Sequence, residues 1–400
     1  MMTNYYRLYI QMILLNCLIS LTNSLIPNFL PLGKLVGFIQ IIILLVIYIV
    51  RLTKEDVLFL VLLFIVDFIA VLNISDLPID LENIIFFTAT VLMLWKFSQL
   101  YHRKRLKEEI TIMGENLFHI TILLLFFVLV ALPFSTSWAD VNDQRVFMAF
   151  CESGHKLSGN LCLISALFLI YFEDKKFKLF DLFWFCIPFV LVSLTGSRTY
   201  LVSYSFVMIA LYLTKLKNYK LKPFLLPAIL VGGVYILMSS SVMNRFTIMG
   251  SNKYISNNFW EATSSGRLIW WKIDIDEFMS FSTINKLFGK GFTFLYNLNE
   301  QEYGLRIDAH NDYITLLISI GLFGVGFYIW VLCKWFFKNN YNNRISFVIV
   351  TILMHTWNAL ISGVFGAQQY IFANLFIALV FTGNFNEQHR DGRYVYERKI

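Results

Sequence analysis

The sequence predicts an all-α polytopic membrane protein of about twelve transmembrane helices with one long external loop, and three observations predict it. Apolar residues make up 58% of the chain and charged residues only 15%, with a mean hydropathy of +0.64. A soluble domain has a different balance. Runs such as Leu35 to Val50 carry no charge at all, and a helix needs about 20 apolar residues, roughly 17 at the least, to cross the hydrocarbon. The lysines and arginines, finally, are shared unequally between alternate connections. A soluble reading would need a core large enough to hide every such run. The chain is therefore read as one integral membrane domain over residues 1–400, with the loop at 241–308 inside it.

In order along the chain, the run 8–25 has the apolar stretch of a secretory signal, but no small-residue cleavage site follows it, so it is taken as the first span. The runs 33–50, 57–73 and 84–100 come next, with Asp67 inside the third span. The run 115–133 opens at Glu115 and is followed by 157–172. The runs 179–195 and 199–214 form a tight hairpin around Thr195-Gly196-Ser197-Arg198-Thr199, and 223–240 is the ninth. The long polar loop then separates 309–333 from a closing pair, 345–363 and 368–383.

Orientation follows from basic residues in the short loops. With the N-terminus inside, 22 of the 33 lysines and arginines fall on the cytoplasmic side, among them Arg103, Lys104, Arg105 and Lys107. The short outer loops hold 4 (Lys34, Arg145, Lys156 and Arg198), and the long loop holds 7. Both termini are thus expected in the cytoplasm. The net charge of +7 expresses this bias, and no basic patch interleaved with aromatics points to nucleic acid. The five cysteines show no CxxC or metal-ligand spacing. No glycine-rich phosphate loop of nucleotide-binding type is present, and no internal repeat marks the inverted halves of a transporter.

Three basic positions on the outer side carry the chemistry. Arg198 sits between two apolar runs with almost no loop to hold it, so its guanidinium must snorkel to the headgroups or face a polar cavity. Arg267 lies in Ser264-Ser265-Gly266-Arg267-Leu268-Ile269-Trp270-Trp271. Ser264 suits an N-cap, after which Leu268, Trp271, Ile275 and Phe278 share one face of a helix lying along the membrane interface. An arginine in a first turn opposes the macrodipole unless an anion sits between it and the free N–H groups. His310 opens an apolar run, surrounded by Asp308, Asn311 and Asp312. Gly321 and Gly324 follow and permit close packing behind it. The other histidines, His155 and His355 included, have no motif around them and are read as ordinary interfacial or core residues. Trp138, Tyr254, Trp260, Tyr296 and Tyr303 in the outer loops can stack on sugar faces or anchor at the interface.

The string His310-Asn311, nine residues, then Gly321-Leu322-Phe323-Gly324 fits the H[NSQ]-x9-G-x-x-[GTY] pattern of the O-antigen ligases. It also resembles the corresponding region of O-antigen and capsular polysaccharide polymerases. The companions come in the same order: Ser197-Arg198 between two spans, Gly266-Arg267 followed by Trp270, then Gly289-Lys290-Gly291, then His310. The resemblance covers about residues 190 to 330; the first 180 match only in hydropathy.

The resemblance implies a glycosyltransferase of the bacterial inner membrane, acting at the outer leaflet without metal or cofactor. Its donor would be an oligosaccharide on undecaprenyl pyrophosphate, with a flippase and a chain-length regulator as partners beside the membrane lipid. Arg198 and Arg267 would hold the pyrophosphate, and His310 would deprotonate or orient the acceptor hydroxyl, supported by Asn311, Asp308 or Asp312. The surroundings of Arg198 and the stretch Phe288-Gly289-Lys290-Gly291-Phe292 are closer to the polymerases, whereas the histidine motif fits the ligases, which pass a finished glycan to lipid A-core. A reading of another class is a lipid-linked sugar flippase or transporter, which Asp67 and Glu115 favour. The basic residues gathered on one face argue against it.

Overall fold

A computed structural model of the chain describes residues 3–25, 32–141, 144–173, 175–216, 267–304, 306–337, 344–366 and 368–382. The predicted run 223–240 and the loop up to residue 266, with Ser264, Tyr254 and Trp260, lie outside the described residues. The architecture is all-α apart from one hairpin. Helices α1 (Thr3–Leu21), α2 (Leu32–Val50), α3 (Lys54–Leu72), α4 (Leu77–Ser98) and α5 (Leu100–Ala131) lead into strands β1 (Trp138–Val141) and β2 (Gln144–Phe147). These strands pair antiparallel, with Trp138 opposite Phe147. Next come α6 (Gly154–Tyr171), α7 (Phe183–Leu194) and α8 (Arg198–Thr214). The chain continues with α9 (Arg267–Ser280), α10 (Thr283–Phe288), α11 (Phe292–Tyr303) and α12 (Asp312–Ser319), then α13 (Gly321–Phe337), α14 (Arg344–Ile361) and α15 (Gln368–Val380).

Among the described residues, α2, α4 and α5 are each long and apolar enough to cross a membrane alone. The helices α8, α13 and α15 are apolar but shorter. The core is built on α6 and α15. Every residue of α6 from Leu157 to Ile170 and every residue of α15 from Tyr370 to Val380 is buried, as expected of helices apolar all round. The outer helices behave oppositely: Phe38, Ile49, Phe64 and Leu72 on α2 and α3 are exposed, the pattern of a surface facing lipid instead of water. Helix α5 kinks at Gly114, whose φ of 38° interrupts the helix between its basic first half and its apolar second half.

The predicted span 309–333 is two helices, and the break has a physical cause. The Lys290 amide donates to the Ile318 carbonyl at 2.9 Å and the Gly291 amide to the Ser319 carbonyl at 3.0 Å. Two of the last carbonyls of α12 are thereby satisfied from outside, so the chain is released from the helical ladder at Ile320. The approach is backbone to backbone. A Cβ on Gly289 would meet the Ser319 oxygen at 2.3 Å, and one on Gly321, whose φ is +73°, would meet the Leu287 oxygen at 2.4 Å. The apolar pattern continues unbroken through the junction, which is why the sequence reads as one span. The nine residues between Asn311 and Gly321 are the eight of α12 plus Ile320.

Helix α11 is fastened to α4 through Asp80. Its buried carboxylate accepts from the Thr293 amide and the Thr293 hydroxyl, both at 2.8 Å, and from the Ser75 and Asp76 amides at 2.9 and 3.1 Å. It thus caps the first turn of α11 from a different helix. Arg306 adds an ion pair to Asp76 at 2.7 Å. Helix α9 forms where predicted but buries a different face: Asp274 and Phe278 are buried while Leu268 and Ile275 are exposed. Arg267, Trp271, Asp274 and Phe278 follow the i, i+4, i+7, i+11 spacing of one stripe, which meets α11 and α12.

The backbone brace predicts that Gly321→Ala is costly. Left-handed φ alone costs a residue with a Cβ about 1–2 kcal/mol, and the Leu287 carbonyl must also move. Gly326→Ala, with open space at its Cβ, is the matched control. Thermal unfolding of the purified protein in detergent should show a clear loss for the first and none for the second. Equal melting of the two variants would refute the brace.

Candidate active site

His310 is held in a conformation that side-chain-bearing residues rarely adopt. Its φ is +49°, a region histidine tolerates better than most residues but still at a cost. Three contacts hold it there. Asp308 Oδ1 accepts from the His310 amide at 3.2 Å and pairs with its ring Nδ1 at 2.9 Å. The Trp271 indole N–H donates to the Ala309 carbonyl at 2.8 Å. Asn311 then starts α12 by accepting from the Tyr313 and Ile314 amides at 3.0 and 3.2 Å. With Nδ1 against a carboxylate, the proton belongs on Nδ1, and Nε2 keeps its lone pair for an incoming group. The ring is about one-third exposed, and Trp270 lies 6.2 Å from it between ring centres.

The electrostatics are centred on Asp308. Burial acts to raise its pKa, but the hydrogen bond and charge of His310, together with Arg267, outweigh burial and hold it below the usual carboxylate range. Burial pushes Arg267 down and the Asp308 charge opposes the shift; a guanidinium stays charged in either case. Arg267 donates through Nη1 to the Ile361 carbonyl at the end of α14. Asp312, which is buried where Asp308 is half-buried, accepts from the Val364 amide at 2.8 Å. It thereby fixes the turn after α14 against the start of α12, where a Cβ on Gly363 would stand 3.0 Å from the Asp312 carboxylate.

Arg198 is the first residue of α8, and its side chain lies outside the described residues. Its backbone position is nevertheless well anchored. The Ser197 hydroxyl is 2.8 Å from His155 Nδ1, Thr195 bonds Ser158 at 2.8 Å, and a Cβ on Gly154 would meet the Thr195 carbonyl at 2.8 Å. The Trp357 indole donates to the Thr199 carbonyl at 3.1 Å. Trp357 and Ile361 are one turn apart on α14, so the segments bearing Arg198 and Arg267 dock on successive turns of one helix. The fold gathers the starts of α6, α8, α9 and α12 around the end of α14.

Several residues have other roles than the sequence suggests, or roles it does not reveal. Trp138 packs in the hairpin, with Phe147 at 5.0 Å and Arg145 over its ring at 5.4 Å. His155, which has no motif around it, is bonded beside Arg198. Tyr296 lies close enough to Asp308 to feel its charge; burial first and that charge second push its phenol up to about 12. Asp274 was not singled out either, although its i+7 spacing from Arg267 was visible. His355 bonds the Tyr328 hydroxyl at 2.8 Å in the core, as read. Among the described residues no three His, Cys, Asp or Glu side chains gather in a metal-holding group.

The helical, apolar fold is that of a membrane protein, and it sets Arg267 and Asp308 beside His310. Residues 182–329 match the family model described as O-antigen ligase. The matched segment contains Arg198, Arg267, Asp308, His310 and the glycine motif, and it is similar to that family over this stretch. No curated protein matches the chain.

The Arg267 geometry generates a test. Its guanidinium donates to the Ile361 carbonyl and still offers further N–H groups to a ligand, whereas a lysine presents a single point charge. Arg267→Lys is expected to reduce polysaccharide output at least about tenfold, the equivalent of about 1.4 kcal/mol, at unchanged protein level. Full output would remove Arg267 from the site.

Proposed function

We propose that this protein is a membrane glycosyltransferase that polymerises undecaprenyl-pyrophosphate-linked oligosaccharide repeat units into O-antigen or capsular polysaccharide at the outer leaflet. The observation that carries this reading is the Asp308–His310 pair, locked beside Arg267 with ring Nε2 as acceptor. The acceptor hydroxyl oxygen forms its bond to the anomeric carbon of the donor sugar. The bond from that carbon to the pyrophosphate oxygen breaks, and its electron pair leaves with the lipid pyrophosphate. The hydroxyl proton passes to His310 Nε2, and the Asp308 carboxylate supports the resulting imidazolium. Arg267 and Arg198 meet the charge growing on the leaving group, which makes a metal unnecessary. Attack opposite the departing pyrophosphate inverts the anomeric centre.

The ligase reading is kept because the matching family model is described as O-antigen ligase. The polymerase is favoured by the Thr195–Thr199 and Phe288–Phe292 stretches. The protein is assigned to the bacterial inner membrane with both termini cytoplasmic and the site outside, with a flippase and a chain-length regulator as partners. Reporter fusions after Lys222 should read cytoplasmic and those near Asn258 external. The reverse pattern would invert the whole assignment.

Purified protein given lipid-linked repeat units should build longer lipid-linked chains, in the presence of EDTA as in its absence. Transfer only to lipid A-core would establish the ligase, and relocation of labelled lipid without chain growth would establish the flippase. His310→Ala should lower the rate by about 10²- to 10⁴-fold, the usual contribution of a positioned base. His355→Ala, bonded to Tyr328 in the core, should act on stability alone. Normal chain growth by His310→Ala would refute the assignment.

A further inference from the structure

Asp274 is fully buried, and neither of its carboxylate oxygens receives a hydrogen bond from a described residue. An ionised carboxylate in that state is costly, because burial without a partner forfeits its hydration. It stands on the same stripe of α9 as Arg267, two turns along, and on that stripe Trp271 between them bonds the backbone before His310. Asp308 is its charged neighbour. Burial first, and the Asp308 charge second, push Asp274 up to about 7, so the group titrates where the protein works.

The surrounding charges define what this titration changes. On the loop before α12 are Asp308 and His310, and at the start of α12 is the buried Asp312. On α11 Tyr296 feels Asp308, while Glu300 and Glu302 are exposed. On α9 itself Lys272 and Asp276 are exposed, and Glu277 pairs with Lys290 at 3.5 Å. With Asp274 neutral, the Arg267 charge is opposed by Asp308 alone. With Asp274 ionised, a second negative charge is added beside Asp308, the carboxylate that faces both Arg267 and His310.

We propose that Asp274 is a positioning residue of the anion site, which accepts a pyrophosphate group while Asp274 is protonated and loses it when Asp274 ionises. This inference rests on the pyrophosphate reading of Arg267 and extends it: the neutral acid keeps a second buried negative charge from gathering beside Asp308, next to the arginine. The sign is fixed by the chemistry. Below neutrality Asp274 is neutral and binding is full; above it, the competent fraction falls about tenfold per pH unit.

The test is direct binding of inorganic pyrophosphate to the purified full-length protein in detergent, measured by calorimetry from about pH 6 to about pH 9. Wild-type affinity is expected to fall by up to about a hundredfold over that range. Asp274→Asn, which mimics the neutral acid, should flatten the fall to less than about tenfold, the remainder belonging to the ligand. Asp274→Glu, which keeps a titrating carboxyl, should retain a steep fall and guards against a mere packing effect of the asparagine. If the wild type and Asp274→Asn lose affinity in parallel while Arg267→Ala abolishes binding, the role of Asp274 is overturned and the pyrophosphate site stands. If Arg267→Ala binds as the wild type does, or nothing binds, the pyrophosphate reading itself is overturned and the Asp274 proposal with it.

Discussion

Two backbone amides, those of Lys290 and Gly291, decide where the catalytic candidate sits. By binding the carbonyls of Ile318 and Ser319, they end α12 after eight residues and let the apolar chain restart as α13. Without them, an uninterrupted helix from Asp312 into α13 would be the favoured continuation, since propagation adds one hydrogen bond for each residue fixed. The short helix is instead set between two fixed points. Asn311 caps its start and the glycine-rich brace closes its end, and the loop carrying Asp308 and His310 is the segment that this arrangement positions.

The site that results is economical in charge. One carboxylate, Asp308, orients the His310 ring and offsets Arg267. A second, Asp312, is committed to the turn after α14. Arg267 is held on the Ile361 carbonyl, and the backbone of the Arg198 segment is held by Trp357 through Thr199. A guanidinium anchored as that of Arg267 is keeps more of its field for a ligand than one locked in a salt bridge. The left-handed conformation of His310 is the local strain that this support sustains.

Much of this was legible in the sequence, for identifiable reasons. Hydropathy and the basic-residue bias carry the membrane class, because the hydrocarbon constrains composition more strongly than any soluble core does. The His310-Asn311 pair and the glycines nine residues on carry the site, since their spacing is the length of α12. The break itself was not legible, because its hydrogen bonds come from residues about thirty positions earlier and leave no polar mark on the run they interrupt. Gly321, expected with Gly324 to ease the packing of one helix on another, instead permits with Gly289 a backbone crossing. The face of α9 was misjudged for a related reason: exposed Leu268 and Ile275 obey lipid or interface, and Asp274 is turned inward by Arg267 and Trp271 on the same stripe. His155 had no motif, and only the fold brings it to Ser197.

The clasp at Asp80 ties the segment that matches the family model to a part of the chain that lies before it. The family match begins at residue 182, yet the first turn of α11 inside it is capped by a carboxylate a hundred residues before that boundary. A transplant of the matched segment into another scaffold would carry Thr293 away from its acceptor and Arg306 away from Asp76, leaving α11 with open amides. The early helices are thus more than a membrane anchor. They hold one half of a joint whose other half is α11 and the residues after it, so exchange between relatives is expected to succeed only when both halves of that joint travel together.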